Sequence, residues 1–198
     1  ETVRRLTPYV PGEQRAGSDI VKLNTNENPY PPSPAVLDAI ASTPGEALRR
    51  YPDPESTALR TALAARHGLD ADEVFVGNGS DEILALAFLA YFTGGGALQF
   101  PEISYSFYPV YCDLYGIAPR PVPLGEGFAI ELERFEANVG GICFPNPNAP
   151  SGLALGREPI RALLERHTER VLLIDEAYVD FGADSVVELV REHPNLLV

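Results

Sequence analysis

The run Val171-Leu172-Leu173-Ile174 is followed directly by Asp175. Four consecutive aliphatic residues without polar alternation belong to a strand covered on both faces, as in the middle of a parallel sheet. The carboxylate that ends the run is a second constraint. A buried, unpaired carboxylate is costly, so Asp175 needs a cation, a set of donors or an open cleft. Open parallel sheets bind ligands outside the carboxyl ends of their strands, which is where Asp175 falls. From this stretch alone two readings stay open: a binding group, or a cap for the segment that follows.

Further strands are expected over 74–76, over 97–100 (broken by Pro101) and over 141–144, the start of one more over 195–198, and weaker candidates over 117–122 and 128–130. Helices are expected over 35–41, from Pro54 to Gly68, and over 83–92, 105–115, 157–167 and 185–192. Asp53 reads as an N-cap with Pro54 at the first helical position. The 83–92 segment is apolar on nearly every side, which predicts a buried helix. The alternation gives an α/β fold with a mostly parallel central sheet and flanking helices, leaving the strand order open. Residues 1–34 cluster Pro, Gly and Asn and read as an extended arm beside a body over 35–198.

With 198 residues, the chain holds one sizeable core or one domain with an appendage. A net charge of −13 argues against nucleic acid or an anionic membrane surface as partner. No apolar run reaches membrane-span length, and the N-terminus lacks the apolar core of a signal peptide. Without any Met in the chain, residue 1 is not expected to be the initiator. Cys112 and Cys143 have no metal-ligand spacing and read as reduced, buried thiols of a cytoplasmic protein. His67, His167 and His193 are scattered near helix ends, so no metal site is expected.

Three strand ends carry unusual polar loops. Gly77-Asn78-Gly79-Ser80-Asp81 leads into a helix N-terminus, where converging N–H groups and the helix dipole suit a phosphate. It is neither a dinucleotide fingerprint nor a P-loop, and the anions Asp81 and Glu82 stand against it unless they serve as caps. Asn146-Pro147-Asn148-Ala149-Pro150-Ser151-Gly152 is rigid and rich in amides, so an Asn held there can donate to a ligand oxygen or close an Asx-turn. The third loop holds Asp175 and Tyr178. Tyr105, after another strand end, offers a flat ring suited to stacking, or a core residue.

These motifs, with Lys22-Leu23-Asn24-Thr25-Asn26-Glu27-Asn28-Pro29 and Tyr51-Pro52-Asp53-Pro54, resemble in order those of the histidinol-phosphate aminotransferases, pyridoxal-phosphate enzymes of fold type I. The resemblance runs across essentially the whole chain and matches the N-terminal part of the family. It implies that Gly79, Ser80 and Asp81 hold the cofactor phosphate, that Tyr105 stacks on the pyridine ring, and that Asn148 and Tyr178 bond the ring 3-oxygen. Asp175 would pair with the protonated ring nitrogen, and Tyr51 would reach a partner's cofactor across a homodimer. Tyr9 and Asn26 would border the substrate pocket. The departures are Ser151, where the family usually has Thr, and Pro101-Glu102-Ile103-Ser104-Tyr105, a variant of a Pro-Thr-Tyr motif.

The implied reaction converts histidinol phosphate and 2-oxoglutarate to imidazole-acetol phosphate and glutamate, in histidine biosynthesis. Related readings are threonine-phosphate decarboxylase, aromatic aminotransferase, or a non-catalytic half-protein that binds pyridoxal phosphate. The Schiff-base lysine of the family has no counterpart here. Lys22 is the sole lysine and lies in the arm motif. The expectation is therefore an incomplete large domain, with its C-terminal part and the small domain absent, that cannot transaminate by itself.

Overall fold

The computed structural model describes residues 12–13, 20–24 and 26–198, which fall into two compact units divided after Thr57. Tyr9 lies outside the described residues. In the first unit, helices α1 (Pro34–Ala41) and α2 (Gly45–Leu48) bury none of their own residues. Asp53 does not cap a helix directly, contrary to expectation. Its carboxylate takes the N–H groups of Glu55 and Thr57 and its carbonyl that of Ser56, closing a turn, and α3 (Thr57–His67) starts only after it. Ser56 has φ +47°, so the chain bends there before the helix can begin.

The second unit, Ala58–Val198, is built on five strands. Helix α4 (Gly79–Ala87) runs into a π-turn (Phe88–Phe92) and then β1 (Leu98–Pro101). Helix α5 (Tyr108–Tyr115), β2 (Pro119–Val122) and β3 (Gly141–Pro145) follow. Helix α6 (Arg157–Arg166), β4 (Val171–Asp175) and β5 (Leu196–Leu197) complete it. All neighbouring strands are parallel, in the order β2-β1-β3-β4-β5. The chain steps outward from β1 to β2, then crosses back to place β3 on the other side of β1. That reversal makes the carboxyl ends of β1 and β3 the switch point of the sheet, where such folds bind ligands.

Alternate residues of the inner strands point into two cores. Ile142, Phe144, Leu172 and Ile174 pack on one face with Ile160, Leu163 and Leu164 of α6, whose spacing is that of a single helical stripe. Cys143, Leu173, Leu98 and Phe100 pack on the other with Phe88, Phe92, Tyr108 and Tyr111. β3 opens on Gly141 because a Cβ there would lie 2.4 Å from the Phe92 ring and 3.1 Å from the Val171 carbonyl. Gly141→Ala is expected to cost about 1–3 kcal/mol, the range for overpacking a core, measured as a shift in the urea midpoint. An unchanged midpoint would show that the Phe92 ring moves aside freely.

β2 lies at the sheet edge. The carbonyls of Ala118 and Val122 accept from Leu98 and Glu102 beside it, so the intervening Pro119 and Pro121 turn outward.

Several expected elements differ. Residues 74–76 are extended but outside the sheet, with Phe75 exposed, and the Arg60 guanidinium takes the Ala71 and Val74 carbonyls instead of a neighbouring strand. The 83–92 helix buries Leu84, Phe88 and Phe92 and exposes Leu86, Leu89 and Tyr91, so one face only is covered. Segments 128–130 and 185–192 give no strand and no α-helix; 3-10 turns occupy Glu126–Phe128 and Val187–Arg191.

His167, buried after α6, accepts a hydrogen bond at Nε2 from the Arg166 Nε–H at 3.2 Å. Burial, and then the Arg166 charge, lower its pKa from 6.5. The unfolded chain therefore binds this proton more readily, and stability present above the ordinary histidine value is lost as pH falls through it. The unfolding midpoint is expected to fall less steeply on acidification in His167→Gln than in the parent chain, with equal slopes as the contrary result.

Candidate active site

The segments at the carboxyl ends of β1, β3 and β4 are tied to one another by hydrogen bonds. Asp175 ends β4, paired in register with Pro145 of β3, and its carbonyl accepts the Asn146 N–H at 2.8 Å. Its carboxylate is pinned at both oxygens. Oδ1 accepts the Ala177 N–H at 3.1 Å, and Oδ2 accepts the Tyr108 O–H at 2.9 Å. The carboxylate is thus paired with two donors and remains half-buried at the strand end rather than in the core.

The loop after β3 is tied from inside. The Asn146 amide spans to Leu155, donating to its carbonyl at 3.1 Å and accepting its N–H at 2.7 Å. Asn148 is 1% exposed; its Nδ2 donates to the Ile103 carbonyl at 3.1 Å and touches the Ser151 hydroxyl at 3.3 Å. The first bond joins the loops of β1 and β3 across the switch point. Asn148 Oδ1, also buried, has no hydrogen-bond partner. A buried acceptor left unpaired costs about 1–3 kcal/mol, so it invites a donor. Tyr178 stands half-buried one turn beyond Asp175, its ring 6.3 Å from that of Phe181. Between them, Glu176 accepts the Ser185 O–H and the Val186 N–H, both at 2.6 Å, which anchors the segment; burial raises its pKa.

The glycine loop carries two anions, and both are turned to protein donors. Glu82 takes the Asn78 N–H at 2.5 Å. Asp81 Oδ1 accepts the phenols of Tyr105 at 2.5 Å and Tyr111 at 3.2 Å. The objection raised by these charges is thereby reduced, and the N–H groups of Ser80 and Asp81 stay in the first turn of α4, which offers them no intrahelical acceptor. Gly79 takes φ +79°, a left-handed backbone that strains other residues. A Cβ at Gly77 would lie 2.7 Å from Ile83 Cδ1 and 2.8 Å from Glu82 Oε2, so both side chains would have to shift to admit one.

Tyr105 lies in the loop before α5 rather than inside a helix over 105–115; α5 begins at Tyr108. Its ring is stacked on Phe107 at 5.7 Å and 17°, and meets Tyr108 edge-on at 5.7 Å and 81°. Burial, and then the Asp81 bond, raise its pKa and keep the phenol protonated. Gly79, Ser80, Asp81, Tyr105, Asn148, Asp175 and Tyr178 all belong to the second unit, at the carboxyl-end side of its strands or at the N-terminus of α4. Asn26, with φ +53°, and the fully exposed Tyr51 belong to the first.

Two residues that bind this site together were not singled out from sequence: Tyr108, on Asp175, and Tyr111, on Asp81. The signal was the three-residue spacing of Tyr105, Tyr108 and Tyr111, which carries three phenols along one side of a helix start.

Residues 18–198 match the family described as aminotransferase class I and II. Histidinol-phosphate aminotransferase 2 of Thiobacillus denitrificans is 57% identical over 196 residues, 99% of this chain and 55% of that protein. The chain spans about half the length of the curated relatives it matches. The putative histidinol-phosphate aminotransferase of Erwinia carotovora atroseptica shares the fold with a TM-score of 0.79 and 25% identity, over 87% of this chain and 53% of that one. Histidinol-phosphate aminotransferase from Sinorhizobium meliloti, in complex with pyridoxal-5'-phosphate, superposes with a TM-score of 0.78 at 24% identity, over 87% and 49% of the two chains.

Proposed function

The chain belongs to the aminotransferase class I and II family, and from that premise we propose that it is the cofactor-binding part of a pyridoxal-phosphate-dependent aminotransferase. The substrates proposed for the whole protein are histidinol phosphate and 2-oxoglutarate, in histidine biosynthesis. The choice of amino donor is supported by relatives bearing that name at 54–57% identity across nearly all of this chain. The observation that carries the reading is the pinned Asp175 carboxylate at the switch-point edge, with the unpartnered Asn148 Oδ1 on the adjoining loop.

The residues fit the cofactor. A 3-hydroxypyridine offers a hydroxyl for the orphaned Asn148 acceptor and a ring nitrogen for a carboxylate, and its phosphate suits a helix start whose anions are already turned to other donors. When bound, pyridoxal phosphate supplies an aldehyde that takes up the amino group and a ring that accepts electrons from the substrate carbon. The roles proposed for this chain's residues are those that the family resemblance implies. Ser80 and Asp81 N–H groups, with Gly79 shaping the turn, hold the phosphate. Tyr105 covers a face of the ring, and Asn148 and Tyr178 bond its 3-oxygen. Asp175 holds a proton on the ring nitrogen, which keeps the ring electron-withdrawing. Tyr51 serves a partner's phosphate in a homodimer, and Asn26, with Tyr9, borders the substrate. The covalent lysine is assigned to the part of the whole protein that this chain does not cover. Two buried free thiols support a cytoplasmic location.

The test is made on the complete protein. Borohydride reduction with pyridoxal phosphate is expected to add one covalent cofactor to the intact mass, and histidinol phosphate to yield glutamate from 2-oxoglutarate. No adduct and no transfer with any amino donor would sink the reading, and CO₂ release would assign a decarboxylase instead.

A further inference from the structure

We propose that Tyr108 is a positioning residue for the cofactor site, holding the Asp175 carboxylate in orientation through its phenol and steadying Tyr105 with its ring. This role rests on the pyridoxal-phosphate reading above and adds a residue that acts through Asp175 rather than on the cofactor.

The geometry points to it from both ends of the side chain. A carboxylate at a strand end rotates easily about its last bond, because that torsion is broad and only weakly two-fold. Here rotation is resisted from two elements at once. Ala177 N–H holds Oδ1 at 3.1 Å, and Tyr108 O–H at the start of α5 holds Oδ2 at 2.9 Å. The Tyr108 ring is fully buried, stacked on Phe88 at 5.9 Å and edge-on to Phe100 at 6.0 Å. In such a pocket phenylalanine would pack without the cost of desolvating a hydroxyl. The hydroxyl is accounted for by Asp175, with the Cys143 thiol as a second partner. Burial above all raises the phenol's pKa well beyond its ordinary value, so it stays a donor. The same ring meets Tyr105 edge-on at 5.7 Å. One buried side chain thus sets the distance between the group proposed for the ring nitrogen and the group proposed for the ring face.

The experiment uses the complete protein, stripped of cofactor, in four forms: parent, Tyr108→Phe, Asp175→Asn and the double variant. Pyridoxal phosphate is titrated into each by fluorescence, and the melting temperature of each apoprotein is recorded. Tyr108→Phe is expected to bind about tenfold more weakly than the parent, the scale of one hydrogen bond to a charged group, with its apoprotein melting close to the parent. In the Asp175→Asn background, where only a neutral bond to Tyr108 can form, the same substitution is expected to cost no more than about threefold, since Tyr108 acts through the carboxylate charge. Equal affinity of parent and Tyr108→Phe overturns the proposal. So does an equal loss in both backgrounds, which would be a packing effect alone. A parent protein that does not bind pyridoxal phosphate overturns the cofactor reading itself, a result distinct from either.

Discussion

Asp175→Asn in the complete protein is expected to lower kcat by about a hundredfold or more, the scale of removing one electrostatic group aimed at a reacting system. The substitution keeps the side-chain shape. An amide oxygen can still accept the Ala177 N–H, and its NH₂ can donate to the Tyr108 oxygen in a reversed bond, so the strand end is expected to stay folded. What is lost is the negative charge proposed to hold a proton on the ring nitrogen of the cofactor. Without it the bound ring would withdraw electrons less, and the barrier to removing a substrate proton would rise. The measurement is steady-state kcat beside a thermal melt. A kcat within about threefold of the parent, at unchanged melting temperature, would remove Asp175 from the mechanism.

The second large effect is on the frame beneath the site. Phe88→Ala is expected to destabilise the second unit by about 3–5 kcal/mol, the range for deleting a fully buried aromatic ring. Phe88 is wholly buried and touches the rings of Phe92, Tyr108 and Tyr111 at 5.4, 5.9 and 5.1 Å. Alanine leaves a void among residues held by the sheet on one side and by α5 on the other, so collapse into it is restricted. The melting temperature is expected to fall by roughly 6–20 °C. A loss below about 1 kcal/mol would mean that Tyr108 and Tyr111 close the gap, which cofactor affinity would register as a second change.

Much of this was legible in the sequence because burial writes itself plainly there. The 171–174 run became the inner strand β4, and the stripe of Ile160, Leu163 and Leu164 became the buried face of α6. The polar loops after the strands fell at one edge of the sheet because parallel strands share a direction. Where the reading failed, a missing neighbour was the reason. Residues 74–76 have the composition of a strand, but a strand is defined by pairing, and the Val74 carbonyl meets Arg60 instead. Aromatic composition also hid a division of labour. Tyr105 and Tyr108 look alike in sequence, yet one lies half-exposed on Asp81 and the other is buried on Asp175, and only the helix start between them decides which is which. The strand order, and with it the switch point, depends on where the 123–140 connection returns. No residue type announces that.

The edge strand β2 bears on how the protein behaves in crowded solution. A sheet grows into a fibril when the outward N–H groups of its last strand find carbonyls on another molecule. At Pro119 and Pro121, two consecutive outward positions, there is no hydrogen to offer. The donor half of any pairing along that edge is removed by the covalent structure of the chain, leaving only outward carbonyls. Replacing both prolines with valine would leave the fold's interior untouched and convert a silent border into an adhesive one.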